Sequence, residues 1–451
     1  IVVDQQAVDI ANPGLALTGF EMGGDLSTNQ GTPRNPVTVY YGGGITVNGF
    51  EIVEVLLGKG DETLSITDTT DRDARLSETL GPFQRPKDPA TITAIHGGGG
   101  NDTFTISGRG DGPLVVYGDT SEDRLRYSNT GPGASVHGTG FSNDGDDVID
   151  ARQLADQNDV YVGVVAYGGF GNDTIWGSQG DDHLAGGTSR EGGRDSIHGQ
   201  AGNDHIYGDS HFNVNLRLFA EDVQEVFASA DSRVSQMFEA LTTTAGDDAD
   251  VDTAEFREAA GTDEISGGLG ADIIFGDHGV ITIEQGTRRL TTTGSVERIE
   301  TALPTSGAAD IIYGHSSSSG SPADDQATDW LFGGQGGDSI DAGNGDNVVL
   351  GDHGFIDLGD ADSDIDLIQS TSTTSAGGAE TISTGNGDDI VIGGRFGDSI
   401  TIEDGRNLVL GDEGVIRYQS GGPLLDEISS IYLDDGGAFI QQGGNDTIRV
   451  G

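Results

Sequence analysis

Residues 168–176 read GGFGNDTIW and residues 177–185 read GSQGDDHLA, the same nine-residue unit twice, G-G-x-G-x-D-x-U-x with U a large apolar residue. A fixed period constrains a chain more than composition does, because every unit must take one conformation and stack on its neighbours. Glycine weakens a strand and aspartate is a poor strand former, so the first six positions read as a turn. The x-U-x that follows reads as a very short strand whose middle side chain points inward, by the period-two rule. Two units then close one coil, coils stack at the ~4.8 Å strand spacing, and turns stack over turns along each edge.

Further copies are GGGGNDTFT (97–105), GQAGNDHIY (199–207), GGLGADIIF (267–275) and GGQGGDSID (333–341), with GGTSREGGRDSIH a unit carrying four inserted residues. Weaker copies are AGNGDNVVL (342–350), TGNGDDIVI (384–392), GGRFGDSIT (393–401) and QQGGNDTIR (441–449); LGKGDETLS (57–65), GDTSEDRLR (118–126) and SNDGDDVID (142–150) are more degraded. A Gly/Asp-rich linker would show no phase for its apolar residues, and here they are phased. A longer rhythm overlies the first. GDHGVITI (276–283), GDHGFIDL (351–358) and GDEGVIRY (411–418) each close a run of units, after which the chain leaves the period before re-entering, so an interrupted solenoid is expected.

The chain has 75 acidic residues against 22 basic ones, a formal net charge of -53, and is 34% hydrophobic with 76 glycines among 451 residues. That charge on so little apolar material is close to the composition of a disordered chain, and glycine raises the cost of ordering the backbone. Something positive must therefore be supplied from outside: bound cations, a basic protein or a halophilic solvent. Nucleic acid is a poor partner, since a phosphate polymer needs a basic footprint. There is no Cys, hence no disulfide framework and no thiolate metal site. No run of 18 apolar residues occurs that could span a membrane. The chain opens IVVDQQ with no basic leader segment, and reads as a mature or excised piece.

Glycine allows φ > 0, so successive carbonyls can turn toward one ion, and the Asp at position six adds a charged oxygen. A hard divalent cation such as calcium takes six to eight oxygens at ~2.3–2.6 Å. In these residues the chain resembles the RTX, or hemolysin-type, calcium-binding repeat proteins. The resemblance implies an all-β parallel β-roll, or β-solenoid, with several Ca2+ ions between turns. It also implies secretion from a bacterium and folding on external calcium. Carried over position by position, the metal ligands are Asp102, Asp173, Asp182, Asp195, Asp204, Asp272, Asp338, Asp389, Asp398 and Asp446. Phe396 stands for the third glycine and Asn407 for the aspartate, which puts calcium in doubt at those two turns. At the three exits the sixth position is Ile281, Ile356 or Ile416, and Asp277, Asp352 and Asp412 stand at position two. We expect those three to give their carboxylates to the last ion of each run, against a solvated aspartate that only favours the bend. His278 and His353 beside them lack a spaced second ligand for zinc and are expected to be exposed.

Four regions follow: 1–95, a β-rich N-terminal solenoid-like part with runs such as VTVYY and FEIVEVLLG; 96–209, a first repeat region; 210–260, a helical insertion; and 261–451, an interrupted repeat solenoid. In the insertion Leu216, Phe219, Val223, Phe227, Val234, Phe238 and Leu241 recur at helical spacing. They predict one amphipathic helix against the flank of the solenoid.

Catalytic motifs are missing. There is no HExxH and no GxSxG, and the GDS at 208–210 sits in frame with the repeat and lacks a following DxxH. ADVDTAEFREA (249–259) carries Thr253 where an EF-hand loop needs glycine. Arg109-Gly110-Asp111 is expected by chance in such a composition. The sequence thus predicts a non-enzymatic calcium-binding structural segment of a secreted or cell-surface bacterial protein, a rod in an adhesin, surface layer or extracellular fibre. The alternative is the calcium-dependent carrier domain of a larger secreted enzyme or toxin. Expected partners are calcium ions and either further copies end to end or more repeats of a longer chain.

Overall fold

The structure is a computed structural model. It describes residues 52–57, 60–69, 92–110, 112–119, 145–156, 162–187, 193–209, 260–283, 292–294, 296–315, 326–359, 364–371, 377–419, 424–431 and 444–451. It also describes the strand backbones at 2–3, 15–18, 26–29, 38–41 and 45–47. The helix expected within 210–260 lies outside the described residues. Among the described residues every regular element is a strand, and no helix is long and apolar enough to cross a membrane.

Most x-U-x segments are strands of three or four residues, such as Thr174–Trp176 and His183–Ala185. They alternate between two parallel sheets. The first runs from Thr63–Ile66 to Thr447–Val450, the second from Ile52–Leu56 to Leu408–Leu410. At its N-terminal side the first sheet is extended by Val2–Val3, Leu15–Thr18 and Ile45–Val47, paired antiparallel to one another. All strands of the roll itself pair in parallel, which places every U residue in one of two inward columns. One column holds Leu64, Phe104, Ile149, Ile175, Ile197, Ile265, Ile312, Ile340, Ile382 and Ile400. The other holds Ile95, Val116, Ala166, Leu184, Ile206, Ile274, Leu331, Val349 and Val391. These residues are at most 1% exposed and form one continuous core. A one-residue slip would turn an entire column to solvent, so the isoleucine-rich columns fix the register.

The excursions do not break the roll. Ile265 pairs with Ile312, and Ile340 with Ile382, in unbroken register although long segments intervene. The segments themselves fold outside as hairpins: Gly279–Ile283 with Val296–Thr301, Gly354–Asp357 with Leu367–Ser370, and Gly414–Tyr418 with Leu425–Ser430. The three hairpins join into a six-stranded antiparallel sheet. Across it Ile281, Ile299, Ile356, Ile368, Ile416 and Ile428 face one another. The first five are fully buried, in a second core with Phe275, Phe332, Leu350 and Ile392 from the outward face of the second sheet. The second sheet is therefore sandwiched, and its strands read as nearly continuous apolar runs, IIF, WLF, VVL and IVI, as a sheet buried on both faces requires. The first sheet keeps polar residues such as Thr174, Ser196 and Ser339 on its outer face.

Candidate metal centre

Turns run along two edges of the roll. On the first edge, leading into the first sheet, the sixth-position acids form a column. The Glu62 N–H donates to Asp102 Oδ1, the Asp102 N–H to Asp147 Oδ1, and so on through Asp173, Asp195, Asp263, Asp310 and Asp338, at 2.7–2.8 Å. Glu380, Asp398 and Asp446 continue it at 3.0–3.1 Å. On the second edge Val164, Asp182, Asp204, Asp272, Asp329, Asn347, Asp389 and Asn407 make the same chain of contacts. Where no insertion intervenes, the bonded residues are 18 apart, as for Asp329 and Asn347 or Glu380 and Asp398. The structure thus places all ten residues assigned by the motif in these two columns, Asp102, Asp173, Asp195, Asp338, Asp398 and Asp446 on the first edge and Asp182, Asp204, Asp272 and Asp389 on the second.

One carboxylate oxygen is used in each of these bonds. The other, Oδ2, is buried with no hydrogen-bond partner at Asp102, Asp147, Asp173, Asp263, Asp310, Asp338 and Asp398 on the first edge and at Asp204 on the second. It faces the glycine at position one of its own turn. A Cβ on Gly97 would stand 1.8 Å from Gly118 O of the next coil and 2.2 Å from Asp102 Oδ2, so only glycine fits. Carbonyl and carboxylate oxygens converge there and no donor answers the carboxylate, which is the chemistry a hard cation satisfies. Among the described residues no three His, Asp or Glu side chains stand close enough to hold an ion by themselves, so a calcium ion in these turns draws on backbone carbonyls as well.

Electrostatics point the same way. Burial, reinforced by neighbouring carboxylates, pushes Asp195, Asp204 and Asp310 well above the usual range. Burial likewise raises Asp338 to about 7 and Asp173 to about 8. A column of buried like charges disfavours its own ionised form, and a divalent cation between coils removes that penalty.

Asp263, Asp310, Asp329 and Glu380 belong to the columns although the nonapeptide template passes over them, and Asp147 is the sixth position of the degraded copy 142–150. At each exit the turn is divided. Gly276-Asp277 supplies positions one and two; the returning Gly307–Asp310 supplies the rest. Gly208-Asp209 with Gly261–Asp263, and Gly351-Asp352 with Gly377–Glu380, are divided alike. The position-two aspartate binds the halves together. Asp277 accepts the Ala308 N–H at 2.9 Å and the Gln335 N–H at 2.5 Å. Asp352 accepts those of Gly378 and Arg395, Asp209 that of Gly261 and Asp412 that of Gly444. Asp277 and Asp352 are 2% and 6% exposed, so the solvated-bend alternative does not hold. Both oxygens of each are engaged by backbone. His278 and His353, expected to be exposed, are buried at the mouths of the hairpins instead. Burial lowers both to about 4 and keeps them neutral, and His278 Nε2 lies 3.3 Å from Ser306 Oγ.

The fifth position carries a second, outer ladder of opposite polarity. The Asn101 N–H donates back to Asp61, Asp146 to Asn101, Asn172 to Asp146 and Arg194 to Asn172. The recurrent Asn or Asp before the ligand aspartate has this role, which the template leaves blank. Phe396 takes φ +74°, in the left-handed region where glycine normally stands. The Arg109 guanidinium is buried on Gly110 O and Gly112 O, not displayed as an attachment signal.

A family model described as the RTX calcium-binding nonapeptide repeat matches the chain in four copies, over residues 94–105, 165–189, 191–211, 259–280, 325–354 and 375–395. Asp398, Asp412 and Asp446 lie beyond those stretches. No curated protein matches the chain.

Proposed function

Given a chain that carries RTX calcium-binding nonapeptide repeats and is all-β with a parallel β-roll, we propose that it is a calcium-folded structural segment of a secreted or cell-surface bacterial protein. It would serve as a stiff rod within an adhesin, a surface layer or an extracellular fibre, with no catalytic role. The observation that carries this reading is the first-edge column, in which seven buried aspartates each keep one oxygen without a donor. Calcium binding to the stacked turns and not to the unfolded chain would stabilise the roll by mass action. Extracellular sites of this kind bind at about 10⁻⁴–10⁻³ M, so cytosolic calcium would leave the chain loose for export.

Two parallel sheets running the length of the roll give the stiffness. At the last described coil Ile448 is 45% and Val450 68% exposed, and further repeats or a second copy docking there would cover them. Small-angle scattering of the full chain in EGTA and in millimolar calcium tests the proposal. An expanded coil that becomes an elongated rigid particle on adding calcium is expected. A compact particle of the same shape in both would defeat it.

A further inference from the structure

The two edges differ in how the position-six side chain is satisfied. At Asn347, which is fully buried, Oδ1 accepts the Asp329 N–H as an aspartate would. Its Nδ2 then donates to Gly343 O at 3.2 Å and lies 3.5 Å from Ala342 O. A donor stands where Asp338, in the first-edge turn of the same coil, keeps an oxygen without one. Position one of this turn is Ala342, not glycine. In the next coil position one is Thr384, and its hydroxyl donates to Asp389 Oδ2 at 2.7 Å. In the coil after that, position one is Ile402 and Asn407 Nδ2 donates to Glu403 O at 3.0 Å. Three successive second-edge turns have thus lost the glycine together with the unanswered oxygen. Upstream, Gly199 is retained and Asp204 Oδ2 keeps no partner. Every divided or continuous first-edge turn from Gly97 onward retains its glycine.

We infer that the second edge from Ala342 to Asn407 is a cation-free seam, in which side-chain amide and hydroxyl donors replace calcium turn by turn. The inference rests on the calcium reading of the other turns. The physical reason is that an amide NH2 supplies the donor hydrogen that buried carbonyls need and carries no charge to be neutralised. The substituted turns therefore close at any calcium concentration, while the first edge of the same coils still requires the ion.

The pair Ala342→Gly with Asn347→Asp restores the repeat at one turn and tests this in the full chain. Bound ions are counted by equilibrium dialysis with calcium alone, and melting is followed in calcium and in EGTA, the EGTA samples carrying enough of the osmolyte TMAO to fold the calcium-free chain. The double variant should gain about one ion, as a new carboxylate turn would. It should melt lower than the parent in EGTA and recover in calcium. The converse variant, Asp204→Asn, should lose an ion and melt higher than the parent in EGTA. A double variant that folds in calcium and binds no more ions than a calcium-binding parent overturns the inference and leaves the calcium reading standing. A parent that binds no calcium overturns both. Should the double variant not fold, Asp204→Asn decides alone: lower melting in EGTA contradicts the seam.

Discussion

Acid should fold this protein when calcium is withheld. Burial raises Asp338 from an ordinary 3.8 to about 7 in the folded chain. A group whose folded pKa lies above its unfolded value favours folding below the unfolded value, and that contribution is lost as pH rises through the folded one. At about 1.4 kcal/mol per pH unit, such a carboxylate costs the calcium-free roll about 4 kcal/mol at neutral pH. Asp263 and Asp173 are raised to about 7 and about 8 in the same column. Two or three groups of this kind are enough to cancel the whole stability of a typical domain, ~5–15 kcal/mol. In EGTA the far-UV circular dichroism should therefore be that of an unfolded chain at pH 7.5. A β signal and a melting transition should appear between pH 7 and pH 5, above the isoelectric point near 4.1. In millimolar calcium the order reverses: the roll is folded at pH 7.5, and acid releases the ions by protonating their ligands. A calcium-free melting temperature that is flat or falls between pH 7.5 and 5 would refute the reasoning, because the column would then not be a stack of destabilised carboxylates.

Gly97→Ala places a methyl 1.8 Å from Gly118 O, and should lower the melting temperature in saturating calcium by the equivalent of ~1–3 kcal/mol, as overpacking does; an unchanged melt would mean the turn is looser than described. Asp277→Ala leaves the Ala308 and Gln335 N–H groups without their acceptor. At ~1–3 kcal/mol for each unsatisfied buried group, it should expose the 276–310 hairpin to limited proteolysis before the rest of the roll. Ile299→Ala removes the centre of the hairpin-sheet column and should destabilise that layer by ~2–5 kcal/mol. Its calcium stoichiometry should match the parent's, and a loss of ions would show the layers to be one cooperative unit.

The roll was legible because its signal is periodic. GGFGNDTIW specifies turn, ligand and inward residue in one unit, and the U positions 149, 175, 197 and 265 fall in one column whatever lies between them. Insertions hid the rest. Asp263 and Asp310 occupy ligand positions, yet their turns begin before an excursion and finish after it, so a nine-residue template does not register them. The surviving mark is a local one, Gly-x-Asp-x-Ile in GTDEI, whose partner Gly208-Asp209 stands far upstream. The hairpin sheet was beyond reach for another reason. VITI and FIDL look like exits when taken singly, and only register across three excursions shows that Ile281, Ile356 and Ile416 share a face. Burial of His278 and His353 is a consequence of that sheet, which closes over them. In the second-edge seam, Asn347 looks like a degraded copy in the sequence; its amide contacts make it a substitute for the ion.

Anomalous X-ray diffraction from crystals of the full chain grown in millimolar calcium would locate the ions directly. Peaks should lie in a line along the first edge, beside Asp102, Asp147, Asp173, Asp263, Asp310 and Asp338, and be missing at Ala342–Asn347. Ions scattered over exposed acids, or a folded roll whose first-edge aspartates hold none, would contradict a calcium-built fold.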